Sequence, residues 1–370
     1  GVLAIVTAGA DADCVRMAER YMRTWFGQRM SQCKSLIEML AWVKHPMALQ
    51  VLLSISNRFR TASLRKLAGE FVNAIAEREG WTIDELADRT IPNGGFAKPE
   101  GGGRPLLVLD YGARQFTATL DDELEPVITG EGGKVVRALP SPAKADHAVK
   151  AKEAKKVFSD AKKQIKDVVK RQSERLYEAL CTQRAWTFAD WKQFLGDHPV
   201  VGRMCVRLVW TATDPAEKFA WCFRPLEDGS LSNEKDDSVK FPDDTLIRLA
   251  HTANTPAELA AAWKQHLTDY NVQPIFDQFG RASYMHPEAK AKETAIIDYR
   301  GYELGTFQMR GKLTKAGYIR GEAQDGGWFH EYMKPFRSLG IQAEIGFTGN
   351  SLPEEDRRAA LGSLTFVKIK

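Results

Sequence analysis

The sequence has 370 residues, of which 44% are hydrophobic and 27% are charged, and its formal net charge at pH 7 is +4. These values are ordinary for a soluble globular protein of about two or three domains, and no run of about 18 apolar residues predicts a membrane span. The five cysteines form no Cys-x-x-Cys pair, so we expect buried reduced thiols in a cytoplasmic protein. Residues 1–6 are apolar without the basic start of a signal peptide, and we expect them to be the truncated end of an element in a longer chain.

Residues 1–91 are predicted to be helical. Apolar residues recur at three- and four-residue steps from Asp13 to Arg89. Pro46 is expected to begin a fresh helix, Gly80 to end one, and Thr82 to cap the next. Short links between helices of similar length predict antiparallel pairs stacked as in HEAT-type solenoids.

Residues 92–142 are predicted to form a small antiparallel β-meander of three or four strands. Glycine clusters at 93–95 and 101–103 interrupt the helical pattern, and the apolar period then changes to two. The segment Gly130–Lys134 resembles a phosphate-binding loop only superficially, because Val135 follows it where Ser or Thr is needed. A hairpin turn is therefore predicted there.

Residues 143–207 are predicted to contain a long basic helix over Lys144–Leu180, followed by helices at Phe188–Leu195 and Val200–Cys205. Residues 208–370 are predicted to form a mixed α+β domain. Its clearest helix start is Thr255-Pro256-Ala257-Glu258, with threonine as the N-cap. The Gln324–Gly327 segment predicts a hairpin between strands at Tyr318–Glu322 and Trp328–Met333. The expected fold class is α+β.

The strongest candidate for a binding surface is a stripe of lysines on the long helix. Residues 144–175 hold eleven Lys or Arg and five Asp or Glu, a local net charge of +6. At 100° per residue, seven lysines fall within an arc of roughly 120° beside the apolar stripe. Such a stripe could neutralise phosphates along a nucleic acid. The candidate binding residues are Lys152, Lys155, Lys156, Lys162, Lys163, Lys166 and Lys170.

The alternative interpretation of this stripe is a solvated helix face that pairs with itself. Acidic residues recur every seven positions beside the lysines, at Glu153, Asp160, Asp167 and Glu174. Each has a Lys or Arg three or four residues away along the helix (Lys156, Lys163, Lys170 or Arg171), the spacing at which side chains meet. No aromatic residues alternate with the lysines, which argues against stacking of single-stranded bases.

No catalytic residues, metal ligands or cofactor are predicted. The acidic segment that contains Asp228, Glu234, Asp236 and Asp243 fits no calcium loop and is expected to form surface turns. A general acid–base pair could be built from His330 with Glu331, Glu322 or Asp325, but no nucleophile accompanies them. Turn or surface roles are the preferred interpretation of the histidines.

Several tracts, in their order along the chain, resemble a known bacterial family. They include Leu109–Phe116, His198-Pro199, Arg224–Leu231, Ile247–His251 and Arg320–Trp328. This order resembles the large MolR-like proteins, named after a supposed regulator of molybdate metabolism, whose shared region is the domain of unknown function 4132. The resemblance covers nearly the whole chain.

The resemblance implies partners but no activity. Genes of the family often neighbour those of MoxR-type AAA+ ATPases and von Willebrand A-like proteins, which implies a role beside a chaperone-like assembly. Our first functional hypothesis is therefore a non-enzymatic scaffold or adaptor that docks a protein such as an AAA+ ATPase. The alternatives are a nucleic-acid-associated protein that uses the lysine stripe, and an enzyme of unrecognised class in the C-terminal domain.

Overall fold

The computed structural model describes Thr7 and residues 9–59, 61–99, 103–214, 219–280, 290 and 292–369. The apolar start at residues 1–6 and two glycines of the 101–103 cluster lie outside the described residues. The chain divides into two compact units, Gly1–Thr90 together with Met285–Lys370, and Ile91–Tyr284. This division does not test whether the four predicted segments fold as separate domains. None of the described helices is both long and apolar enough to span a bilayer.

The N-terminal part of the first unit consists of successive helices around one apolar core. Val15, Met22, Ile37 and Leu52 are fully buried within that core, as their three- and four-residue spacing predicts. The helices are α1 (Ala12–Trp25), α2 (Met30–Trp42), α3 (Pro46–Arg58), α4 (Ala62–Glu79) and α5 (Ile83–Arg89).

The predicted boundaries of these helices are confirmed. Pro46 is the first residue of α3. Gly80 ends α4 with a left-handed φ of 71°, a conformation that favours glycine. The Thr82 hydroxyl accepts a hydrogen bond from the Glu85 amide, and the Glu85 carboxylate accepts one from the Thr82 amide. This reciprocal pair begins α5. Whether the helices form a HEAT-type repeat stays a prediction.

The second unit begins with the predicted meander, a four-stranded antiparallel sheet in the order β1-β2-β3-β4. The long helix α6 (Ala148–Thr182) follows, and its apolar stripe joins the core of the meander. Contact is close, because a Cβ on Gly94 would lie 2.7 Å from Cδ1 of Ile165. The strands are β1 (Leu107–Asp110), β2 (Gln115–Leu120), β3 (Pro126–Thr129) and β4 (Val135–Val136).

The second unit continues with an antiparallel sheet in the order β5-β9-β6-β7-β8. Trp191, Trp210 and Phe223 are fully buried, and the ring of Trp191 contacts the rings of Trp210 in β6 and Phe223 in β7 edge to face. The elements in chain order are β5 (Trp186–Thr187), α7 (Phe188–Trp191), α8 (Val201–Cys205), β6 (Trp210–Thr213), β7 (Phe219–Pro225), β8 (Leu231–Ser232), β9 (Leu246–Leu249) and α9 (Ala257–Asp269).

Three predictions in this unit were wrong in detail. The long helix predicted from Lys144 begins at Ala148, where the His147 side chain accepts a hydrogen bond from the Lys150 amide. The helix predicted at Phe188–Leu195 is α-helical only to Trp191, and Lys192–Gly196 forms a π turn in which the Asp197 amide donates to the Lys192 carbonyl at 2.7 Å. Thr255 does not cap α9. Its hydroxyl donates instead to Oδ1 of Asn254 at 3.0 Å, and Pro256 occupies the cap position.

The C-terminal part of the first unit is a strand-rich segment with its own core around Met309, Phe329, Tyr332 and Phe347. The hairpin predicted over residues 318–333 is confirmed, since Ile319 pairs with Met333. The sequence did not predict the first two strands or the helix. The elements are β10 (Ala295–Ile296), β11 (Glu303–Gly305), α10 (Thr306–Lys315), β12 (Ile319–Arg320), β13 (Phe329–Phe336), β14 (Ile341–Asn350) and β15 (Arg358–Lys368).

Helices and antiparallel sheets together confirm the predicted α+β class. The cysteines agree with their prediction only in part. Cys33, Cys205 and Cys222 are buried free thiols, whereas Cys181 on α6 is exposed. Burial raises the pKa of Cys222 to about 12, so this thiol stays protonated and inert at neutral pH.

Candidate functional site

The lysine face of α6, defined as the seven candidate lysines from Lys152 to Lys170, is set by the packing of the helix. Ala151, Ala154, Ala161, Ile165 and Val168 are buried against the core of the second unit. Because residues on one side of a helix recur every three or four positions, this packing turns the lysines toward solvent. Lysines at 152 and 170 lie roughly 27 Å apart along the helix axis at about 1.5 Å per residue.

All seven candidate lysines are exposed, but they differ in their partners. Nζ of Lys162 lies 3.8 Å from a Glu125 carboxylate oxygen, and Nζ of Lys163 lies 3.7 Å from Oδ1 of Asp160. The side chains of the other five make no ion pair or hydrogen bond with any described residue. These unpaired lysines are Lys152, Lys155, Lys156, Lys166 and Lys170.

The predicted self-pairing of this face therefore occurs only in part. Asp160 pairs with Lys163 as its i,i+3 spacing predicts. Glu153 makes no ion pair with Lys156 within the described chain. Asp167 does interact with another residue, but that residue is not Lys170. The face consequently keeps a cluster of cations that no described residue neutralises.

A cleft of about 670 Å³ lies within the second unit, and the sequence did not predict it. Its lining includes the π turn with the start of α8, the loop at 225–231 and the segment at 238–241. The start of α8 and the π turn, which both line the cleft, are in close contact at Gly202. A Cβ on Gly202 would lie 2.5 Å from the Gly196 carbonyl oxygen, so a larger residue would push the two segments apart. The cleft thus brings together two tracts that carry the family resemblance, His198-Pro199 and Arg224–Leu231.

Charged residues are linked along the cleft. Glu227 accepts hydrogen bonds from both Arg104 and Arg203, and Arg203 also donates to Asp122 at 3.2 Å. Burial by itself raises the pKa of Glu227, but the hydrogen bonds from Arg203 and Arg104 outweigh it and hold the pKa below its usual range. Glu227 is therefore an ionised bridge between two arginines rather than an acid that releases protons.

His198 has a structural role at the edge of the cleft. Its Nδ1 accepts hydrogen bonds from the Val200 and Val201 amides at 3.2 and 3.1 Å. Because Nδ1 is an acceptor, Nε2 carries the proton and donates to the Ile91 carbonyl at 3.2 Å. Burial lowers the pKa of His198 to about 4, so the ring is neutral at pH 7.

The acid–base pair suggested around His330 is not formed among the described side chains, which do not include that of Asp325. His330 is exposed and has no partner among the described residues, so the pair with Glu331 does not form. Within the same part of the chain, no three His, Cys, Asp or Glu side chains are grouped as metal ligands.

One polar cluster in the acidic segment was missed by the sequence analysis. Asp236 accepts hydrogen bonds from His266 at 3.1 Å and from the Tyr270 hydroxyl at 2.8 Å. These hydrogen bonds, that of Tyr270 being the stronger influence, lower the pKa of Asp236. The 30-residue separation of Asp236 from His266 leaves no local pattern that could have revealed the contact.

Comparison with known proteins places these features in context. The model of the domain of unknown function DUF4132 matches residues 133–318, a range that includes the lysine face and most of the cleft. The uncharacterized protein YehI of Escherichia coli (strain K12) is 30% identical over 289 residues, which are 78% of this chain and 24% of YehI. The chain thus spans about a quarter of the length of that curated relative. No solved structure matches significantly.

Proposed function

From the premise that the chain belongs to the DUF4132 family, we propose that it binds nucleic acid by the phosphate backbone along the lysine face of α6. Membership of this family names no activity, so the proposal depends on geometry. The observation that carries it is the set of five exposed lysines without an ion pair among the described residues.

The dimensions of the lysine face suit a nucleic-acid backbone. Phosphates of one strand of a duplex recur about every 3.4 Å along its axis, so roughly 27 Å of helix spans about eight of them. Each lysine that neutralises a phosphate releases a condensed counterion, and this release favours binding. The helix that carries these cations is held in place by its buried stripe.

The expected mode is binding of a duplex without sequence preference. Phe158, which lies between the first and last lysines of the face, is half-buried against the core and offers no exposed ring for base stacking. Flexible lysines act as point charges on phosphates and do not read base edges in the way that arginine does. Dissociation constants between about 10⁻⁴ and 10⁻⁶ M are expected at physiological salt.

Charge reversal on the lysine face tests the proposal. The variant K152E/K155E/K166E is expected to weaken binding of a fluorescent 20-base-pair duplex at least tenfold at low salt, measured by anisotropy. The matched control K134E/K235E/K264E changes the net charge equally through exposed lysines of the same unit. Equal loss in both variants, or no binding by the wild type, would contradict the proposal.

A second candidate function is the adaptor role, which a different observation favours. A groove of about 510 Å³ lies on α1 and α2, where the side chain of Met17 is 69% exposed. Apolar surface of this kind suits a partner helix. The groove is lined by Cys14, Met17, Ala18, Tyr21, Ser31, Gln32, Ser35, Leu36 and Met39.

The partner proposed for this groove is a MoxR-type AAA+ ATPase, as the MolR-like resemblance implies. Met17→Glu is expected to abolish binding of such a purified ATPase, because it places a charge in the apolar groove. Gln28→Glu adds the same charge at an exposed position outside the groove lining and is expected to leave binding unchanged. Binding that survives Met17→Glu would refute the role of the groove.

A further inference from the structure

The sheet of the C-terminal segment has one apolar face, which the register of its strands defines. Residues paired directly across neighbouring strands lie on the same face of a sheet. Tyr332 pairs with Ile345, Ile345 pairs with Leu364, and Leu364 pairs with Ile296. The positions two and four residues along the same strands belong to this face as well. In cross-strand order they are Lys334, Ala343 and Phe366, and then Phe336, Ile341 and Lys368.

The helix α10 covers only one half of this apolar face. It begins beside β15, where the Thr306 amide donates to the Arg357 carbonyl at 2.9 Å. It ends beside β13, where Nζ of Lys334 donates to the Ala316 carbonyl at 3.0 Å. Among the described residues, the core that α10 forms around Met309 leaves out six apolar residues of the face. These six define the uncovered half: Ile296, Phe336, Ile341, Ile345, Leu364 and Phe366.

The uncovered half has the width of one helix. Phe366 is 52% exposed, and the other five residues are half-buried. Because neighbouring strands lie about 4.8 Å apart, the three strands β10, β15 and β14 span about 10 Å. An α-helix with its side chains is about 10 Å across. Since a sheet that is apolar on one face buries that face against another element, one further helix fits beside α10.

The strands place a cation but no carboxylate on the uncovered half. Lys368 lies on the apolar face, is exposed, and makes no ion pair with any described residue. Lys334 lies on the same face but is buried, with its ammonium group bonded to the end of α10. Glu331 and Glu344 occupy the alternate positions of β13 and β14, so their side chains point to the opposite face.

The helix α10 adds two cations on the flank that adjoins the uncovered half. Arg310 pairs with Glu354 at 3.0 Å, in the connection from β14 to β15, and this connection lies at the far end of both strands from Phe366. Lys312 lies about 160° around the helix axis from Arg310, and is therefore on the opposite flank. Lys312 and Lys315 are exposed and make no ion pair with any described residue.

The carboxylates beside β10 do not cancel these cations. Asp298 is paired with Lys290 at 3.1 Å. Glu293 adjoins Lys292, which is exposed and has no ion pair within the described chain. The rim of the uncovered half therefore keeps an excess of positive charge, carried by Lys312, Lys315 and Lys368.

We propose that the uncovered half of this face docks an amphipathic helix with acidic flanks, supplied by a partner protein. Apolar side chains at helical spacing pack on Phe366, Leu364 and Ile341, as in other complexes that seat a helix on an apolar surface. Carboxylates on the flanks of the helix meet the lysines of the rim, and this complementarity selects an acidic partner over a basic one. The surface depends neither on the lysine face of α6 nor on the groove of α1 and α2.

Fluorescence anisotropy of the 370-residue chain with a labelled amphipathic peptide tests the proposal. The probe has about 18 residues, with Leu on one side of the helix and Glu on the other. Micromolar binding is expected. The same peptide with Lys in place of Glu is expected to bind at least about tenfold more weakly, because the rim is cationic.

Two adjacent residues of β15 provide a matched pair of variants. Phe366→Glu places a carboxylate on the uncovered half and is expected to weaken binding of the acidic peptide by about tenfold or more. Val367→Glu adds the same charge at a 37% exposed position on the opposite face, and is expected to change the affinity less than about twofold. The exposed double variant K312Q/K368Q is expected to weaken binding about fivefold. Met17→Glu, in the groove of α1 and α2, is expected to bind the peptide as the wild type does.

Several outcomes would overturn the proposal. They are no binding by the wild type, equal affinity for the acidic and basic peptides, and equal effects of Phe366→Glu and Val367→Glu. Loss of binding in Met17→Glu would place the peptide in the groove of α1 and α2. A dimer of the chain that Phe366→Glu dissociates, measured by light scattering, would make a second copy the occupant.

Discussion

At the scale of single residues, the second unit uses polar groups mainly to fix turns. His198 holds the start of α8 through Nδ1, and Glu227 bridges two arginines beside the same cleft. Gly202 allows the close contact of two turns. Substitutions of these residues are therefore expected to change the stability of the fold more than they change binding.

The titration of His198 predicts a specific pH dependence of stability. Its pKa in the folded chain is about 4, against an ordinary value of 6.5. As the pH falls below about 6.5, His198 becomes protonated in the unfolded chain but stays neutral in the folded chain. The free energy of unfolding therefore decreases between pH 6.5 and 4. Each unit of difference between the two pKa values corresponds to about 1.36 kcal/mol. The shift of the His198 pKa from 6.5 to about 4 therefore lowers the free energy of unfolding by about 3 kcal/mol.

His198→Asn removes this titration and can still accept from the Val200 amide. The difference in free energy of unfolding between wild type and variant is therefore expected to shrink by about 3 kcal/mol from pH 7 to pH 4, measured by urea denaturation. If the free energies of unfolding of the two proteins changed with pH in parallel, His198 would not be a buried neutral ring.

Gly202→Ala is expected to destabilise the chain by about 2 kcal/mol, because the new methyl group meets a backbone carbonyl that cannot move aside easily. The neighbouring atom is the Gly196 oxygen, 2.5 Å from the added Cβ. Gly311→Ala is the control, since no atom lies within 4 Å of a Cβ there and α10 is expected to gain up to about 1 kcal/mol. Urea denaturation measures the free energy of unfolding of both variants. If Gly202→Ala and Gly311→Ala changed it to a similar extent, the close contact at Gly202 would be contradicted.

At the scale of elements, α6 connects folding to the proposed binding surface. Ile165 is fully buried and meets Gly94, whereas Val157 on the same helix is 39% exposed. Ile165→Ala is expected to cost about 2–5 kcal/mol, and Val157→Ala less than about 1 kcal/mol. The free energies of unfolding measure both, and a small effect of Ile165→Ala would mean that α6 does not pack on the meander.

The elements also show how far sequence reasoning reaches. The apolar stripe predicted α6 and the exposure of its lysines, because both follow from one local period. The cap at Thr255 was predicted wrongly, since the Asn254 side chain competes for the hydroxyl. The partners of the lysines were not predictable in full, because side-chain spacing permits a pair without requiring it.

At the scale of the whole molecule, the α+β class was predictable but the cleft was not. Trp191, Arg203 and Leu226 come from separate segments, and no periodicity encodes their meeting. Charge, by contrast, is readable from the sequence. Residues 144–175 carry a local net charge of +6 in a chain of +4, so the proposed binding surface concentrates the cationic character of the protein.

The salt dependence of duplex binding tests the central claim most directly. If about five lysines of α6 contact phosphates, the logarithm of the association constant is expected to fall with the logarithm of salt concentration at a slope of about −4 to −5. K152E/K155E/K166E is expected to reduce that slope by about three. A slope near zero, or one that this variant leaves unchanged, would contradict phosphate binding by the lysine face.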